Sequence, residues 1–134
     1  AKVYWPSYKK LIDELVNRGF IVKCAFERKY EHLYDFLYEL PKNRIVAVLE
    51  DDDIFTFKKK FGDRIAIHGG IPTTMLYYAS KQECLDYCKR LLDEVAPGGG
   101  YLFGTNMSMI TPSDGKAENL KAVNDFIHKY GVYK

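Results

Sequence analysis

Four carboxylates stand in a row at Glu50, Asp51, Asp52 and Asp53. Adjacent carboxylates repel one another unless a cation or a shared proton intervenes. Such a run can hold a metal, hold a cationic group of a substrate, or supply a general acid with a raised pKa. The plainer reading is a solvated loop in which Asp53 caps a helix. His68 is the second chemical feature. Imidazole titrates near neutrality, and Gly69 and Gly70 follow it, where a backbone without Cβ lets a ligand come close. The alternative for His68 is a neutral ring bonded to a neighbouring loop. Glu27, beside Arg28 and Lys29, adds another acid. Asn106 and Met107, between Thr105 and Ser108, add an amide and a thioether.

These residues need elements to position them. Helical spacing puts Leu11, Ile12, Leu15 and Val16 on a helix over 9–18, with Gly19 at its carboxyl end. Residues 20–26 read as a buried strand. Residues 30–40 read as a helix with Leu33, Phe36, Leu37 and Leu40 inward, closed by Pro41. Residues 44–49 form a second buried strand. Asp53 begins a short helix with Ile54, Phe57 and Phe61 inward, and residues 64–68 form a third strand. Ser80 and Glu83 have the spacing of a capping box, and the helix behind them stops at Pro97. Residues 101–104 form a fourth strand. Residues 117–130 form a last helix with Leu120, Val123, Ile127 and Tyr130 on one face.

Strands that are apolar on both faces, alternating with helices, indicate the α/β class with parallel strands and right-handed crossovers. Four such strands suit a small open doubly wound sheet or half of a TIM (β/α)8 barrel, which takes about 250 residues when whole. In both, ligands bind on the loops at the carboxyl ends of the strands. Acid, amide and imidazole groups are therefore expected on one rim. Asp51, Asp52, His68 and Glu27 are the candidate catalytic residues, and Gly69, Gly70, Asn106 and Met107 the candidate substrate-binding residues. The Pro97-Gly98-Gly99-Gly100 stretch precedes a strand. It reads as a tight turn on the opposite rim, not as a phosphate cradle.

No metal ligands are assigned. Cys84 and Cys88, four residues apart, read as a buried stripe of a helix. Cys24 reads as a core thiol, with a ligand role as the alternative. Tyr30, Tyr34 and Tyr38 read as a helix face against a neighbour. An odd number of cysteines does not make a disulfide framework, and a reducing cytoplasm is the expected setting. The length of 134 residues suits a single α/β domain over 1–134, and 47% hydrophobic residues supply a packed core. A net charge of +2 excludes a strongly basic nucleic-acid binder, and no apolar run is long enough to span a bilayer. The chain opens on Ala1 rather than Met, which suggests one processed or cut from something longer. A receiver-like or flavodoxin-like domain would use Asp51 to Asp53, but it expects a leading strand where a helix is read.

The stretch Asp53-Ile54-Phe55, followed by Lys58 through Pro72, resembles the uroporphyrinogen decarboxylase superfamily. So does the stretch from Gln82-Glu83-Cys84 through Cys88-Lys89-Arg90-Leu91-Leu92 to Gly98-Gly99-Gly100-Tyr101-Leu102. Ala117-Glu118-Asn119-Leu120-Lys121-Ala122-Val123 is similar to that family's last-helix signature. The likeness runs from about Pro6 to Tyr133. It implies the carboxyl-terminal half of a barrel, strands five to eight, and either tetrapyrrole decarboxylation or corrinoid-linked methyl transfer. A tetrapyrrole-type or other small-molecule ligand follows from the same resemblance. So does a partner that completes the barrel, either a second half-barrel or a second copy in a homodimer; the alternative is a non-catalytic fragment or subunit. The decarboxylase of the family works without a cofactor, while its cobalamin-dependent methyltransferases use zinc. Where those methyltransferases carry His-x-Cys this chain has Val22-Lys23-Cys24, and where they carry a later Cys it has Met107. The decarboxylase has a His in the loop after its last strand; Asn106, Met107 and Ser108 stand there here.

Overall fold

A computed structural model describes residues 3–132 of the chain. Ala1 and Tyr133, the first residue and the far limit of the resemblance, lie outside them. Strands and helices alternate, and the strands form one sheet of order β1-β2-β3-β4. The β1–β2 and β2–β3 pairs are parallel. The chain divides into two compact units, Ala1–His68 and Gly69–Lys134.

In the first unit, helix α1 (Tyr4–Asn17) starts earlier than the apolar spacing suggests. Pro6 sits in its first turn, where the missing N–H costs nothing. The helix ends as a Schellman turn: Gly19, at φ 90, donates to Val16 O and Phe20 donates to Leu15 O. That turn leaves Phe20 and Ile21 exposed, so strand β1 runs only over Val22–Phe26. The expected helix over 30–40 is broken into a 3₁₀ turn, Glu31–Leu33, and a single helical turn α2, Tyr34–Leu37. Leu33, Leu37 and Leu40 still point inward. Strand β2 (Ile45–Leu49) and helix α3 (Ile54–Phe61) follow. Tyr34 meets Phe57 and Phe61 edge-on, with ring centroids 5.6 and 5.1 Å apart. Phe57 and Phe61 are fully buried, and truncating either would cost about 3–5 kcal/mol.

Strand β3 covers Ala66–Ile71 and so runs three residues past His68, where the sequence pattern had placed its end. The strands also differ from the two-sided burial expected of them. β1, β2 and β3 alternate between buried and more open residues. Helices cover the face of Cys24, Phe26, Ile45, Ala47, Leu49 and Ile67. Small apolar residues such as Ala25, Val46, Val48 and Ala66 make the other face look buried in sequence although it is not.

In the second unit, a short helix α4 (Thr73–Tyr78) was not foreseen. Helix α5 (Lys81–Glu94) opens with the expected capping box: Ser80 N donates to Glu83 Oε2 at 2.8 Å, and Glu83 N donates to Ser80 Oγ at 3.3 Å. Strand β4 is Tyr101–Thr105, and helix α6 is Ala117–Tyr130. The core gathers Ile71, Leu76, Cys84, Cys88 and Val123. On α6 Val123 and Asn119 are buried and Ile127 packs against the core, as does Phe126, whereas Leu120 and Tyr130 are exposed. Asn119 Nδ2 donates to Leu76 O and to Ala79 O, both at 3.0 Å, and so closes the carboxyl end of α4. Among the described residues no helix is long and apolar enough to cross a membrane. All three cysteines are free and buried.

Candidate functional site at the strand ends

The acidic run has a definite architecture. Glu50 Oε2 accepts the backbone N–H of Arg28 at 2.8 Å. Asp52 Oδ1 accepts the backbone N–H of Tyr30 at 2.8 Å. Asp53 Oδ2 accepts from Thr56 N at 2.9 Å and from Thr56 Oγ1 at 2.6 Å, capping α3 as its position suggested. Like-charge repulsion in the run is thus offset by backbone donors, and two of the carboxylates tie the loop after β1 to the loop after β2. Asp51 and Glu27 are exposed.

Asp52 is only 8% exposed. Its Oδ2 and the Tyr34 hydroxyl are both buried and interact with each other. Burial pushes the Asp52 carboxyl above its ordinary range; the Glu31 charge adds to this, while the Tyr30 N–H opposes it. Burial, with the charges of Asp52 and Glu31, likewise raises the Tyr34 phenol.

His68 belongs to the half-open sheet face. The register aligns Ala25 with Val48, and Val48 with His68. One layer below, Lys23 aligns with Val46, and Val46 with Ala66. Burial lowers the His68 pKa, and the positive charge of Lys23 on the same face lowers it further. Its Nδ1 is buried and unpartnered. The ring is therefore neutral near pH 7 beside a fixed cation. Lys23 carries charge into this face, and an isolated charge in an otherwise apolar strand was its signal in the sequence.

Gly69 and Gly70 lie within β3, not in the loop that follows, at φ 126 and 137. These angles are glycine territory. The Tyr101 hydroxyl donates to Gly69 O at 3.0 Å, and a Cβ on Gly70 would stand 2.5 Å from that hydroxyl. The close approach these glycines permit is thus made by Tyr101. Asn106 Oδ1 accepts from Thr73 N at 3.0 Å, and Asn106 N donates to Ile71 O at 3.0 Å. The amide joins the end of β4 to the start of α4. Met107 is exposed, and its carbonyl accepts from Thr105 Oγ1 at 2.7 Å.

Parallel strands alternating with helices, with polar groups at the strands' carboxyl ends, define an α/β protein built like part of a TIM barrel. Residues 1–130 match the family model for uroporphyrinogen decarboxylase, and the chain belongs to that family. No curated protein matches the chain significantly.

The zinc chemistry of the superfamily's methyltransferases does not fit these residues. Cys24 is 5% exposed on the helix-covered face. Its thiol bonds to the Tyr8 hydroxyl, and burial raises its pKa, which disfavours a ligating thiolate. Among the described residues no group of three His, Cys, Asp or Glu side chains is placed to hold a metal ion. No step through zinc follows.

Proposed function

We propose that the chain forms part of a uroporphyrinogen-decarboxylase-like site that acts on a carboxylate-bearing tetrapyrrole. It would be the carboxyl-terminal half of the barrel. The observation that carries this reading is the half-open sheet face of the first unit, where Lys23 and His68 stand among Ala25, Val46, Val48 and Ala66. A flat apolar ring system suits the alanines and valines. A carboxylate on its edge suits the lysine and the neutral imidazole.

Decarboxylation breaks the bond between a side-chain carbon and its carboxylate. The electron pair stays on carbon, carbon dioxide leaves, and the carbon takes a proton. Lys23 would orient the carboxylate before cleavage. His68, neutral and partly buried, would hydrogen-bond the reacting group or relay the proton. Corrinoid-linked methyl transfer is the less favoured reading, because the donor set for zinc does not fit.

The half-open face also favours a second reading, that the chain works only with a partner half-barrel or a second copy. An uncovered apolar sheet face is costly in water. One experiment addresses both. The 134-residue chain is incubated with uroporphyrinogen, and products with fewer carboxyl groups are followed by mass spectrometry. Light scattering gives the mass of the species present. Uroporphyrin binding that His68→Gln and Lys23→Met both weaken is expected, with product formed where light scattering shows a completed barrel. Uroporphyrin binding without product, by a monomer, would instead favour the partner-dependent reading. Neither binding nor product would overturn the tetrapyrrole assignment.

A further inference from the structure

We propose that Arg28 recognises a carboxylate of the ligand, presented by a loop that Glu50 and Asp52 hold in place; this rests on the carboxylate-bearing ligand proposed above. Arg28 directly follows Glu27 at the carboxyl end of β1 and has φ 60. Left-handed backbone is unusual for a residue with a Cβ. The other such residue among those described is Asn43, in the turn before β2. Asparagine tolerates this conformation and is a common turn residue. Arginine has no such local compensation, so something else keeps it there.

The structure shows what does. Glu50 takes the Arg28 N–H, and the buried Asp52 takes the Tyr30 N–H two residues later, both at 2.8 Å. The Tyr30 ring stacks on Phe26 with centroids 4.3 Å apart and planes 5° from parallel. Its hydroxyl donates to that of Tyr4 at 3.3 Å. The chain is therefore held at Arg28 itself and again two residues beyond it. Sparsely populated backbone persists where its surroundings over-determine it, and such places cluster at binding sites.

Three of the acids around Arg28 are occupied, while Glu27 and Asp51 are exposed. Glu50 is bonded to the residue's own backbone, Asp52 to Tyr30, and Asp53 to Thr56. The guanidinium is exposed, and among the described residues it has no hydrogen bond or ion pair. A guanidinium carried on a held backbone offers a planar fork of donors that fits a carboxylate in two bonds.

The test uses fluorescence titration of the 134-residue chain with uroporphyrin and with its methyl ester, which has the same ring but no charged carboxylates. Arg28→Gly fits the backbone angle and removes the guanidinium together with its aliphatic stem. Arg28→Lys keeps the charge without the fork. Arg28→Gly is expected to weaken uroporphyrin binding about tenfold and leave ester binding unchanged. Arg28→Lys should fall between. Glu50→Ala, a change in a positioning residue, should lower the uroporphyrin-to-ester preference while the circular dichroism spectrum stays the same. Uroporphyrin binding that survives Arg28→Gly, or an equal loss for the ester, would overturn this proposal alone. No binding of either porphyrin by the unaltered chain would overturn the tetrapyrrole reading and this proposal with it.

Discussion

The Asp52 carboxylate and the Tyr30 backbone N–H, 22 residues apart in sequence, meet at 2.8 Å and join two loops at the strands' carboxyl ends. The bond uses one oxygen of a nearly buried carboxyl. The other oxygen is buried beside the Tyr34 hydroxyl. Asp52 therefore anchors a loop and keeps a carboxyl whose charged form is disfavoured.

Replacing Asp52 separates those two roles. Asp52→Ala strands the Tyr30 N–H and should cost about 1–3 kcal/mol. Asp52→Asn keeps an acceptor and adds an amide donor near the Tyr34 hydroxyl, so it should fold at least as stably near pH 7. The pH dependence has a definite sign. The folded-state pKa of Asp52 lies above its ordinary 3.8, chiefly through burial. Its contribution to stability is therefore full below 3.8 and lost as pH rises through the folded pKa. Urea denaturation from pH 3.5 upward should show Asp52→Asn gaining on the unaltered protein as pH rises. A constant difference across that range would disprove the assignment.

Gly70 tests the glycine pair. At φ 137, and with a new Cβ 2.5 Å from the Tyr101 hydroxyl and 3.0 Å from Leu91 Cδ1, Gly70→Ala meets both backbone strain and a clash. A loss of roughly 2–4 kcal/mol is expected. Gly98→Ala is the control: φ is 81 and nothing lies within 4 Å of the added Cβ. Strain alone should cost it about 1–2 kcal/mol. Thermal melts of the two variants should differ clearly, and equal shifts would mean that Tyr101 does not dictate the glycine.

These cases show what was legible from sequence and what was not. The Asp53 cap and the Ser80–Glu83 box are written within three residues and were readable. The work of Glu50 and Asp52 was not, because their partners lie 22 residues away on another loop. The extension of β3 through Gly69 and Gly70 goes with Tyr101, 32 residues on. Alternating burial was hidden because the open face is lined with alanine and valine, which read as core. The carboxyl ends of the strands could still be located, since helix caps and apolar runs bracket them.

His68 and Lys23 give a prediction readable by NMR. The His68 pKa lies below 6.5, from burial first and the Lys23 charge second. Lys23→Gln removes only the second cause, so the pKa should rise part of the way towards 6.5. A depressed histidine pKa means that the folded state binds its proton less tightly than the unfolded chain. The stability it contributes is present above 6.5 and lost as pH falls through the folded value. His68→Gln should therefore flatten the loss of stability on acidification. An unchanged His68 titration in Lys23→Gln would show that the two side chains do not share the face.

Asn119 is the last case, and the one in which a signature residue proves to be structural. It is 1% exposed, and its amide serves two carbonyls, Leu76 O and Ala79 O, at the end of α4. Removing the amide leaves those carbonyls short of a donor and opens a small gap beside Leu76. Asn119→Ala should cost about 2–3 kcal/mol. Asn119→Asp should cost at least as much, because a carboxylate cannot donate and would place a charge against two carbonyl oxygens. Hydrogen exchange should locate the loss in α4 and at the start of α6, with α5 less affected. Urea midpoints for both variants within error of the unaltered protein would mean that the α4 end is held by other bonds, such as Lys116 N to Leu76 O at 3.0 Å.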